Sequence, residues 1–90
     1  MDNKQLPFEP TIKIKDGCVK IYVNGLIHVC MKHDEIVGFE SWIMGNDENN
    51  FVIEYYLKSG VEIHTNYSER HRWIAILKLL DENNIINIKI

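Results

Sequence analysis

Glu54, Tyr56 and His64 are the residues of this 90-residue chain whose types and spacing come nearest to chemistry. They belong to "FVIEYYLKSGVEIHT", residues 51–65, which reads as two strands around a turn. Alternation survives that turn only if the loop is Lys58-Ser59-Gly60, with Gly60 in the left-handed conformation of a G1 bulge. Leu57 then faces Val61, Tyr55 faces Ile63 and Ile53 faces Thr65 on an apolar side. Glu54 and His64 fall opposite each other on the other side, with Tyr56 and Glu62 beside them. A carboxylate that orients an imidazole is one component of acid–base or nucleophilic catalysis. The same juxtaposition is also an ordinary cross-strand pair worth about 0.2–1 kcal/mol. No serine or cysteine stands at a strained elbow to serve as nucleophile, so the plain pair is favoured. His71 points away from the helix stripe described below, toward solvent.

His28 and Cys30, two apart on one strand, are the local pair with metal-ligand character. No CxxC, no HxxxH on a helix and no EF-hand loop accompanies them. A buried thiol beside a core histidine is the plainer reading, and no cofactor is implied. Anions have two candidate sites. Arg70 and Arg72 flank the start of an expected helix, where the dipole and free N–H groups favour negative charge. Lys13, Lys15 and Lys20 cluster on one strand face beside Tyr22, in outline a platform for single-stranded nucleic acid. Outward lysines also protect a sheet edge, and the two arginines have Glu69 to pair with.

The elements that must position these groups are legible from turns and periodicity. Asp16-Gly17 and Asn24-Gly25 are favoured pairs for two-residue type I′ turns, and predict strands over 11–15, 18–23 and 26–32. The register follows: Ile14 faces Val19, Ile12 faces Ile21, Val23 faces Leu26, Ile21 faces His28 and Val19 faces Cys30. One face, bearing these apolar residues with His28 and Cys30, is the expected core. The other carries Lys13, Lys15, Cys18, Lys20, Tyr22, Ile27, Val29 and Met31. Cys18 and Cys30 thus lie on opposite faces and share neither a disulfide nor a metal.

"IVGFESWIM", residues 36–44, reads as a fourth strand in which Gly38 marks a bulge or a close backbone approach. "GNDENN" is a loop by composition. Asn66 and Glu69 have capping-box spacing, with Ser68 a competing cap. They open a helix over about 67–82 whose stripe is Trp73, Ile76, Leu77 and Leu80, widened by Ile74 and Leu79. Asn83-Asn84 ends it. "IINIKI" is a short terminal strand with Ile86, Ile88 and Ile90 alternating. Such an apolar edge needs a neighbour, in the same subunit or in a partner.

Composition sets the frame. Apolar residues are 46% and charged residues 26% of the chain, which argues against wholesale disorder. The net charge of -3, with a pI near 5.7, argues against a duplex nucleic-acid binder. No apolar run is long enough to span a bilayer, so no membrane partner is expected. The first ten residues lack a signal-peptide core, and the cytoplasm is the expected compartment.

The expected fold is α+β and mainly β: a small twisted antiparallel sheet or open barrel of five to seven short strands. One C-terminal helix packs on it and a short strand follows. Residues 1–10 form an irregular lead-in and 11–90 a single domain. A meander closed by a helix is similar in layout to pleckstrin-homology-like folds, with the last strand added; such a likeness carries no function. The expected function is a small non-enzymatic interaction or structural module that self-associates, a homodimer being favoured. Trp42, Met44, Ile86, Ile88 and Ile90 are its candidate interface. The alternatives are an anion- or nucleic-acid-binding module on the lysine face or at Arg70 and Arg72, and a small enzyme or metal protein using Glu54 and His64.

Overall fold

The computed structural model describes residues 9–45 and 49–88; the rest of the expected lead-in, the middle of the 45–50 loop and Ile90 lie outside them. Among the described residues, six strands and one helix form a small α+β fold that is mostly β. Strands β1 (Thr11–Lys15), β2 (Cys18–Val23) and β3 (Leu26–Lys32) make one antiparallel sheet in the order β1-β2-β3. A 3-10 turn, His33–Glu35, leads to the second sheet, β4 (Ile36–Ile43), β5 (Phe51–Leu57) and β6 (Glu62–Tyr67), in the order β4-β5-β6. Helix α1 (Arg70–Glu82) packs against β1, β5 and β6.

The turns form as their residues require. Asp16 and Gly17 have φ of 55° and 76°, and Asn24 and Gly25 have 56° and 77°, which are the two positive values of a type I′ turn. The first hairpin keeps the expected register, Ile14 opposite Val19 and Ile12 opposite Ile21. The second does so only at its tip, where Val23 faces Leu26 and Tyr22 faces Ile27. There the ladder shifts. Ile21 pairs with Val29 and Val19 with Met31, so the expected partners His28 and Cys30 are displaced by one residue. A β-bulge at His28 accounts for this, because one extra residue on a strand inverts the faces of everything beyond it. Val29 and Met31 are buried in the core, whereas His28, Cys30 and Leu26 are exposed, Leu26 at 73%. Cys18 and Cys30 therefore share one face, as free thiols, instead of lying on opposite ones.

The β5–β6 hairpin follows its expected register throughout. Leu57 N–H donates to Val61 O at 3.0 Å across Lys58-Ser59-Gly60, and Gly60 has φ 94°. Tyr55 faces Ile63, Ile53 faces Thr65, and Glu54 faces His64. The inner faces of both sheets and the helix stripe contribute to one cluster, which includes Val19, Ile21, Val29, Met31, Phe39, Ile53, Tyr55, Ile76 and Leu80. Trp73 packs against it, half-buried, with its ring 5.1 Å from Phe51 and its Nε1–H donating to Val52 O at 3.0 Å.

Both ends of α1 differ in how they close. The capping box is not made: β6 runs to Tyr67, the N-cap is Glu69, and no side chain caps the first turn. Asn66 Nδ2 instead donates to Asn50 Oδ1 at 2.7 Å, and the buried Tyr67 holds the chain extended up to the helix. At the other end Asn84 takes φ 63°, and Ile85 N–H reaches back to Leu80 O at 2.9 Å. This is the left-handed closure that asparagine tolerates. The chain then runs beside β4 in parallel, joined by a single bridge between Phe39 and Asn87 rather than forming a full strand. Phe39 N–H donates to Ile86 O at 2.9 Å and Ile88 N–H to Phe39 O at 3.0 Å. Gly38 permits the approach, since a Cβ there would stand 2.6 Å from Ile86 O. It also adjoins a register shift in β4, so it serves both of its expected roles.

Candidate functional site: two charged sheet faces

The outer face of the second sheet gathers the residues first singled out. Glu40 and Glu54 stand directly opposite each other on β4 and β5, and His64 faces Glu54 from β6. Tyr56 O–H donates to Glu40 Oε1 at 2.8 Å and lies 3.3 Å from Glu54 Oε1. His64 Nδ1 is 3.8 Å from Glu54 Oε2, and its ring meets Trp42 edge-on at 6.2 Å. The hydrogen bond to Glu40 holds the Tyr56 hydroxyl well above its ordinary pKa, with desolvation and the Glu54 charge adding to it. Tyr56 is thus a proton donor to a carboxylate pair and is not primed to lose its proton. The group is half-buried on the outer face of the sheet, His64 being its exposed member, and it lines neither of two cavities. One, of about 260 Å³, is bounded by Ile43, Asn49, Phe51 and Arg70. The other, of about 110 Å³, is bounded by His33, Ile36, Val37 and the segment 84–86.

Glu40 is the member that sequence reasoning missed. Its signal was the alternation of "VGFESW", which puts Glu40 and Trp42 on one face. Joining that face to Glu54 required the β4–β5 register, and no short turn fixes it.

The outer face of the first sheet is more basic than expected. Lys13 lies opposite Lys20, and Cys18 is flanked by Lys15 on β1 and Lys32 on β3. The bulge at His28 is what brings Cys30 and Lys32 to this side in place of Val29 and Met31. Lys13 Nζ stands 5.5 Å from the centroid of Tyr22. Among the described residues, none of these four lysines forms an ion pair with a carboxylate.

The remaining candidates are dispersed. His28 and Cys30 part at the bulge: the His28 ring packs 5.2 Å from Tyr67, and Cys30 faces Lys20. Partial desolvation of the ring, one side of which packs on Tyr67, lowers the pKa of His28. Among the described residues no group of three or more His, Cys, Asp or Glu stands together as a metal-ligand set. Arg72 pairs with Glu69 at 3.1 Å and Arg70 borders the larger cavity, so they form no common anion site. His71 is exposed. Trp42, Met44, Ile86 and Ile88 all lie on β4 or beside it, with Trp42 half-buried and the other three exposed. Tyr55 and Tyr67 keep buried hydroxyls close to each other, and burial raises the pKa of both.

Among the described residues no helix is long and apolar enough to cross a membrane. No protein-family model matches the chain, and neither a curated protein nor a solved structure matches it.

Proposed function

We propose that this chain is a small non-enzymatic interaction module that acts by self-association, two copies meeting along the β4 edge. The observation that carries the reading is a row of exposed apolar side chains there. Val37, Ile43 and Met44 on and after β4, with Ile86 and Ile88 on the segment beside it, all remain exposed, Ile86 at 64% and Ile88 at 42%. Exposed apolar side chains gathered at a sheet edge favour a contact surface in a small domain, because water disfavours them. The polar group at Glu54, Tyr56 and His64 supports the non-enzymatic side. Its tyrosine is held protonated, and no nucleophile adjoins it.

Light scattering tests the proposal. The expected mass at micromolar concentration is about twice the 10.6 kDa of one chain. An Ile86→Glu, Ile88→Glu double variant should return a single-chain mass with an unchanged circular dichroism spectrum. A wild-type protein that stays a single chain at that concentration overturns the reading.

A further inference from the structure

We infer that the outer faces of the two sheets are complementary to each other between molecules, the basic face of one copy docking on the acidic face of the next. This rests on the self-association reading but uses surfaces other than the β4 edge. The charge is segregated by sheet. Residues 11–32 hold four lysines and one aspartate, and residues 36–67 hold five acidic residues and one lysine. The register then concentrates it by face. Lys13, Lys15, Lys20 and Lys32 share the outer side of the first sheet, and Glu40, Glu54 and Glu62 share that of the second.

Each face also holds a like-charge pair directly across the ladder, Lys13 opposite Lys20 and Glu40 opposite Glu54. Like charges directly opposite are destabilising, so each face is incomplete on its own. The chain relieves the acidic pair only in part, through the Tyr56 hydroxyl and a 3.8 Å contact from His64. A contact between the basic face of one copy and the acidic face of the next supplies opposite charge to a pair of each kind.

The two patterns match in shape as well as sign. Both faces are three antiparallel strands wide, with strands about 4.8 Å apart and same-face neighbours about 6.8 Å apart along each strand. A lysine pair and a glutamate pair on adjacent strands therefore have the same separation. Beside each pair comes a less polar row, Tyr22 with the exposed Ile27 in one case and the half-buried Trp42 in the other. Charge can meet charge while aromatic meets aliphatic. Because the inner faces share one core, the outer faces look away from each other. A two-fold axis cannot satisfy both, and the contact repeats head to tail.

The test is light scattering across ionic strength, with a charge swap. From about 1 M to about 0.01 M salt the screening length grows from about 3 Å to about 30 Å. Over that range the wild-type apparent mass should at least double. Lys13→Glu with Lys20→Glu should abolish the growth, and so should Glu40→Lys with Glu54→Lys, while an equal mixture of the two proteins restores it. Glu40→Gln with Glu54→Gln keeps the side-chain size and an acceptor for Tyr56, and should also abolish growth should the lysine variant fail to fold. Growth that persists in the charge variants, or a dimer indifferent to salt, overturns the face-to-face contact and leaves the edge reading standing. A single chain at every salt overturns both. An oligothymidine strand that binds wild type at low salt and blocks growth would mean that the lysine face serves phosphate, which also overturns the contact between copies.

Discussion

The two sheets have the same strand order and strands of similar length, yet they are finished differently. The first is set by two tight turns and interrupted by a bulge, and its outer side is basic. The second is set by one G1-bulge loop, and receives both the terminal segment on β4 and most of the helix contact on β5 and β6. Its outer side is acidic. Buried aromatic volume follows the same division: Phe39, Phe51, Tyr55 and Tyr67 all belong to the second sheet, and the buried inner residues of the first are Val19, Ile21, Val29 and Met31. One sheet thus anchors the core and the other closes over it.

That comparison can be broken most severely from within the core. Ile53 is fully buried at the centre of β5, so Ile53→Ala should cost about 2–5 kcal/mol in urea unfolding. Tryptophan fluorescence reports on the second sheet and helix, through Trp42 and Trp73, and far-ultraviolet dichroism reports on both sheets. Because the sheets share one apolar cluster, the two signals should move together in the variant. Separate transitions would mean that the sheets are independent units.

A smaller effect is expected at Gly38. Valine there collides with Ile86 O and should cost about 1–3 kcal/mol, the usual range for forcing extra atoms into a filled space. Hydrogen exchange localises the damage: the Phe39 amide, bonded to Ile86 O, should lose protection before the β5 amides do. Equal loss throughout the second sheet would contradict the view of the terminal segment as an addition to it.

The smallest effect belongs to the first sheet and depends on pH. Partial desolvation lowers the His28 pKa below its ordinary 6.5, so the fold favours the neutral ring. Between that value and the lower folded one the unfolded chain binds more protons, and stability falls as pH drops through the window. His28→Gln should flatten the dependence of the unfolding midpoint on pH just below 6.5 while leaving it nearly unchanged at neutral pH. An identical slope in both proteins would show that the Tyr67 contact does not disfavour charge on the ring.

How far these features could be read in the chain depends on how local their causes are. Asp16-Gly17, Asn24-Gly25 and Gly60 carry turn geometry within two or three residues, so their hairpins followed. The helix stripe at Trp73, Ile76 and Leu80 and the stop at Asn84 are equally local, and so is the facing of Glu54 and His64 across a short loop. His28 was misplaced because alternation counted from Asn24-Gly25 holds only while the ladder is regular. The contrary sign was present in the hydropathy of Val29 and Met31 against His28 and Cys30, and burial decided in its favour. Glu40 and the docking of Ile86 and Ile88 on β4 were out of reach for a different reason. They depend on pairings between segments that no tight turn connects, and Asn66 could not show that its side chain would turn to Asn50 instead of to the helix.

The bulge also makes His28 a spare residue. It is the position in β3 whose loss leaves the facing of every neighbour intact, since Ile27 would still oppose Tyr22 and Val29 would still oppose Ile21. Removal of Val29 or Met31 would instead take a buried side chain out of the core. Length variation in this hairpin can therefore be absorbed at a single site, and a related chain one residue shorter there would carry the same inner face and the same lysine face.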